Sequence, residues 1–134
     1  MNTANEMCKR GKVMNFEELA AYLLSKKGAS FDYPFDEKTR VYRIENKIFA
    51  LFSDEKPLCI NLKCDPIYAL ELRLVYHGIT SGYHMNKKHW NTITLDKDVD
   101  DIFLKELIDH SYTLIYDKLT KKKKECLQQK KNPL

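Results

Sequence analysis

Between Thr39 and Lys63 the sequence is written with a period of two. In "TRVYRIENKIFALFS" Tyr42 and Ile44 fall on one side, and Val41, Arg43 and Glu45 fall on the other. The next segment, "LCINLK", sets Leu58, Ile60 and Leu62 against Cys59, Asn61 and Lys63. Successive side chains of a strand point to opposite faces, so this alternation demands a sheet with one buried face and one wet face. The dipeptide Glu45-Asn46 reads as a tight turn, which makes the first two strands a hairpin. A second hairpin is expected further on, with strands Tyr83 to Met85 and Trp90 to Leu95 joined by "NKK". Ile93 and Leu95 seek the core, so Trp90, Thr92 and Thr94 are expected on the polar face.

The remaining apolar residues follow helical spacing. Asn15 and Glu18 form a capping-box pattern ahead of Phe16, Leu19, Ala20, Leu23 and Leu24, and Gly28 marks the stop. Asp65-Pro66 starts a shorter helix to about Val75, with Ile67, Leu70 and Leu74 expected to face inward. Aspartates then open a long amphipathic helix whose stripe is Ile102, Phe103, Leu107, Ser111, Leu114 and Leu119. Helices that cover one face of an antiparallel sheet give a two-layer α+β sandwich. The expected organisation is a flexible leader over 1–13, one domain over 14–119 and a lysine-rich tail over 120–134.

Charge is unevenly placed. From Lys118 onward seven lysines stand against one acid, so of a net charge of +4 the rest of the chain holds −2. The chain is not a polycation throughout, and only local patches can attract phosphate. No apolar run approaches the roughly 20 residues of a membrane span. The polar start, "MNTANEMCKRGKV", has no apolar core of an export signal, so a cytoplasmic protein is expected.

Catalytic and metal chemistry find little support. The cysteines Cys8, Cys59, Cys64 and Cys126 make no CxxC or paired Cys/His spacing, and reduced thiols are expected. His84 and His89 are poorly placed to converge, and His110 and Ser111 lie about 100° apart on a helix, unsuited to a base and its nucleophile. The acids Asp96, Asp98, Asp100 and Asp101 fail the EF-hand pattern at its glycine and final glutamate, and helix-end charge explains them. No nucleophile elbow, phosphate loop or dinucleotide fingerprint is present. The expectation is a non-enzyme without metal or cofactor.

What remains is a polar sheet face carrying Arg43, Lys47, Asn61, Lys63, Trp90, Thr92 and Thr94, extended by Asn86, Lys87, Lys88 and His89 of the second turn. Cations there can neutralise phosphates, and an exposed indole can stack on a base or pack on a sugar. On the residues alone the simpler reading is preferred: alternating strands leave polar residues in water, and a lysine stem half covers Trp90.

Four segments shift that balance. "NKIFALF", "LCINLKCDP", "GYHMNKKHWNTI" and "DHSYTLIYDKL", in this order and spacing, resemble the MmcQ/YjbR-like family of small bacterial proteins over Asn15 to about Leu119. The resemblance implies a CyaY-like (frataxin-like) α+β sandwich and a DNA-binding protein of "double wing" type. The positions it singles out are Lys47, Phe49, Lys63, Asn86, Lys87, Trp90, Ser111 and Tyr112. The expectation is therefore a monomeric protein that binds double-stranded DNA with little sequence preference, through Arg43, Lys47, Asn61, Lys63, Asn86, Lys87, Lys88, His89 and Trp90. The alternative is a frataxin-like module that meets a protein partner or donates metal, without DNA binding.

Overall fold

The computed structural model describes residues 13–82 and 86–129. Six strands form one antiparallel sheet: β1 (Ser30–Asp32), β2 (Thr39–Ile44), β3 (Lys47–Ser53), β4 (Cys59–Lys63), β5 (Ile79–Ser81) and β6 (Trp90–Thr94), in the spatial order β1-β2-β3-β4-β6-β5. Four helices accompany them: α1 (Phe16–Leu24), α2 (Pro66–Val75), α3 (Asp101–Asp117) and α4 (Lys121–Gln129). The fold is α+β, as the two periodicities require. Tyr83 to Met85, expected as a strand, lie outside the described residues, as do His84, Cys8 and most of the leader. Among the described residues β6 pairs with β4 on one side and, on the other, with β5, a short edge strand that two flanking glycines disguise as a turn. The other edge, β1, escapes a reading by period, because three residues are too few to show one.

The β2–β3 turn is as the sequence dictates. Glu45 and Asn46 have φ of 46° and 70°, the left-handed pair that a two-residue hairpin of right-handed twist needs. One step up, the register jumps: Tyr42 faces Ala50, whereas Arg43 faces Ile48. Phe49 is thus an extra residue in β3. Such a bulge lets two successive side chains leave the strand on one side, and Phe49 and Ala50 are both buried in the core.

Register also defines the two faces. Tyr42, Ala50, Leu62 and Asn91 run across the covered face, with Phe52, Ile60, Ile93 and Ile79 in the next row. Leu19 and Leu23 of α1, Leu72 of α2, and Leu104, Leu107 and Ile108 of α3 close over them. The opposite face carries the row Asp32, Val41, Leu51, Asn61, Thr92 and Thr80, one residue from each strand. Val41 and Leu51 are buried there without joining the core beneath the helices.

Two helix assignments are corrected. On α2 the buried residues are Ala69 and Leu72, while Ile67, Leu70 and Leu74 face solvent. The apolar triplet is the more hydrophobic face, but Tyr68 and Tyr76 set the orientation: they lie against His110 and Phe103 of α3 and turn the triplet outward. On α3 the inward stripe is Leu104, Leu107, Ile108, Ser111 and Ile115, and Ile102 is exposed. The tail is also more than a solubilising end. Helix α3 ends at Asp117 and, from Lys121, the chain turns into α4, whose Leu127 is buried against Gly28. Gly28 has φ of 79°, and any β-carbon there would strike the Leu127 side chain, so glycine serves both the turn and the docking.

Candidate nucleic-acid interface

The strands give the sandwich two ends of opposite charge. At one end lie the Glu45-Asn46 turn, the close of β4, the loop before β6, and the C-terminal ends of α1 and α3. Lys27, Lys47, Lys63, Lys87, Lys88 and Lys118 gather there, joined by Lys121, Lys122, Lys123 and Lys124 of α4; Glu45, Asp65, Asp117 and Glu125 are the acids among them. At the far end Glu17, Glu18, Asp36, Glu37, Asp54, Glu55, Asp96, Asp98, Asp100 and Asp101 outnumber Lys38, Lys56 and Lys97. Helix polarity accounts for part of this separation: acids suit the N-termini of α1 and α3, and bases suit their C-termini.

Each residue expected at the site can be placed. Lys87 and Lys88 are exposed at the loop tip, where the Asn86 side chain accepts the Lys88 amide at 2.9 Å and the Asn86 carbonyl accepts that of His89 at 3.0 Å. Asn86 is therefore a turn former, and His89 is half-buried, its carbonyl accepting the Cys64 amide at 2.7 Å. Arg43 is spent on Asp32 at 3.2 Å and on the Asn46 carbonyl at 3.4 Å, so it braces the turn. Asn61 accepts the Thr92 hydroxyl at 2.6 Å in the middle of the wet face. Lys47 is exposed, but it stands opposite the buried Ile44, which puts it at the rim of the covered face and not on the wet one.

Trp90 requires the largest correction. It does lie on the face of Asn61 and Thr92, paired in register with Lys63, yet only 7% of it is exposed. Gly82 packs so closely that a β-carbon would fall 2.7 Å from that of Trp90. The Lys63 ammonium lies 5.8 Å from the indole centroid. Burial, with Lys118 nearby adding to it, holds that ammonium below the usual lysine range. The indole is a packed platform under a lysine, not an open stacking surface.

Two supports escaped the sequence reading. Arg73 of α2 reaches the Asn91 carboxamide oxygen at 2.6 Å, and its other arm bonds the carbonyls of Lys87 and Trp90, tying the loop to the body. Periodicity gives no hint of this, since Arg73 stands between two leucines. The Ser111 hydroxyl donates to the Phe49 carbonyl at 2.6 Å and accepts the Lys63 amide at 2.9 Å, where the bulge has opened the β3–β4 ladder. Tyr112 meets the Phe49 ring edge-on at 5.5 Å and donates to the Lys27 carbonyl at the end of α1.

Nucleophilic chemistry is disfavoured at this end. Burial, with Asp65 adding to it, pushes the Cys64 thiol up to about 11, far from a thiolate at neutral pH. Burial likewise lowers His110 against the pull of Asp65, and its Nε2 accepts the Asp65 amide at 3.3 Å. Among the described residues no three His, Cys, Asp or Glu side chains gather as a metal site. Nor is any described helix long and apolar enough to cross a membrane.

Comparison with known proteins agrees with the fold. YbdF of Escherichia coli O157:H7 is 38% identical over 91 residues, covering 67% of this chain and 75% of YbdF. YjbR of Escherichia coli K12 is 31% identical over 117 residues, 87% of this chain and 99% of YjbR. The crystal structure of Deinococcus radiodurans DR2400, a DUF419 domain, superposes with a TM-score of 0.80 at 34% identity, covering 85% of this chain and 88% of that one. A Pseudomonas syringae protein matches with a TM-score of 0.66 at 28% identity, over 75% and 98% of the two chains. The family model described as YjbR matches residues 24–114, and the chain belongs to that family.

Proposed function

We propose that this chain is a cytoplasmic DNA-binding protein that grips the duplex backbone with its basic end. The carrying observation is the segregation of exposed lysines about the Glu45-Asn46 turn and the Asn86–His89 loop, away from the acids at the other end. These two projections flank the end of β4 and act as a pair of wings, in the sense of a double-wing protein of CyaY-like fold. Lys47, Lys87 and Lys88 are free to reach phosphates, and Lys63, held over Trp90, offers a cation between the wings. The contacts are to phosphate, so affinity depends little on sequence and strongly on salt.

The test is a titration of fluorescent duplexes of unrelated sequence at several salt concentrations, using the full chain and the double variant Lys87→Ala/Lys88→Ala. The wild-type protein should bind all duplexes similarly, and the variant should bind more weakly with a salt slope lower by about two. A folded variant with unchanged affinity and slope removes this reading.

A further inference from the structure

The outer face of α2 is apolar, and no described residue covers it. Ile67, Leu70, Leu74 and Val75 are 69%, 57%, 86% and 69% exposed. They present on the order of 500 Å² of surface, the size at which a patch on a soluble protein tends to be functional. Ile67, Leu70 and Leu74 repeat at i, i+3 and i+7, the seam of a helix that packs against another helix. The orientation is fixed, because Ala69 and Leu72 are buried beneath and Tyr68 and Tyr76 anchor the flank to α3.

We propose that this face pairs with the same face of a second copy, the two α2 helices running antiparallel about a two-fold axis beside Leu70 and Glu71. Area favours this occupant. A stable interface takes about 800 Å² from each partner, and homodimer interfaces are about two-thirds apolar, so the patch supplies the whole apolar part. Charge favours it as well. The helix α2 runs from the basic end, after Lys63, to the acidic end, where Asp98 accepts the amides of His77 and Gly78 at 2.6 and 2.8 Å. Antiparallel packing lays the basic end of each copy beside the acidic end of the other, whereas parallel packing would set like ends together. In this register Ile67 of one copy meets Leu74 of the other, a self-complementary contact of the kind a two-fold interface requires.

Sedimentation equilibrium of the full chain at about 100 μM, where even a modest self-affinity is populated, reads the outcome. The expected mass is twice the chain mass of 15.8 kDa. Both Ile67→Lys and Leu74→Glu alter well-exposed positions and leave the fold intact by circular dichroism. Each alone should weaken dimerisation by about a hundredfold. Mixed in equal amounts they should restore it, since only the antiparallel register sets the new lysine opposite the new glutamate. Replacing Glu71 by glutamine, which removes two like charges beside the axis, should tighten the dimer severalfold. A monomeric wild-type chain overturns the proposal. So does a dimer indifferent to Leu74→Glu, and a mixture that stays monomeric overturns the antiparallel register.

Discussion

The hydroxyl of Ser111 on α3 donates to the carbonyl of Phe49 on β3 at 2.6 Å, across 62 positions of sequence. Phe49 is the extra residue of the bulge, so its carbonyl has left the ladder; the amide of Lys63 opposite it is stranded by the same event and also ends on Ser111. One side chain thereby closes a gap between two strands. Replacing it with alanine orphans a buried donor and a buried acceptor, and Ser111→Ala should lower unfolding free energy by about 1–3 kcal/mol in urea denaturation. Hydrogen exchange at the Lys63 amide should rise in the same variant.

Trp90 is expected to behave as a packing residue. Trp90→Ala removes a large, 7%-exposed side chain, so it should cost about 3–5 kcal/mol of stability. A melting temperature close to wild type, with loss of DNA binding alone, would instead restore the exposed stacking surface.

Truncation tests the C-terminal helix. Because Leu127 is buried against Gly28, ending the chain after Leu119 should lower stability as well as any salt-dependent DNA affinity. The point variant Leu127→Ala separates the two effects. It should destabilise the fold by about 2–4 kcal/mol and leave the salt slope unchanged, since every lysine remains.

The loop before β6 depends on Arg73. Arg73→Met removes the bonds to Asn91, Lys87 and Trp90. Asn91, buried with its amide nitrogen already unpartnered, then has neither polar atom bonded to a side chain. Amide exchange from Lys88 to Trp90 should quicken by at least tenfold, and stability should fall by about 1–3 kcal/mol.

The imidazole of His110 sets a pH dependence. Burial depresses its folded pKa below the unfolded value of 6.5, with Asp65 opposing, so between these two values the unfolded chain holds more protons than the folded one. Its contribution is complete above about 6.5, declines as pH falls through that window and levels off below the folded pKa. Unfolding free energy of His110→Gln, measured across pH 4 to 8, should lack this component.

The sequence disclosed what depends on period and on caps. Tyr42, Ile44, Ile60 and Leu62 announced the covered face by alternation, and Asn15 with Glu18 forms the capping box that their spacing implied. Misreadings arose wherever a non-local contact overruled a local pattern. Ile67, Leu70 and Leu74 form the better apolar stripe of α2, but two tyrosines, docked on residues more than 25 positions away, decide which side turns inward. Alternation placed Trp90 on the correct face and could not reveal its burial, because a period of two reports a face and not what packs against it. Lys47 changed faces through a bulge that no residue type advertises. At the candidate site, Lys87 and Lys88 were legible as exposed cations, whereas the two residues that hold their surroundings in place, Arg73 and Ser111, act through single long-range bonds.

The separation of lysines and acids to the two ends gives the molecule a permanent electric moment along its strands. In the field of a polyanion such a body feels a torque before it feels any contact, and it turns its lysines forward once within about a Debye length. The fraction of encounters that arrive correctly oriented then exceeds the geometric chance. The signature is kinetic: as salt is added, the association rate constant falls steeply while the dissociation rate constant changes far less.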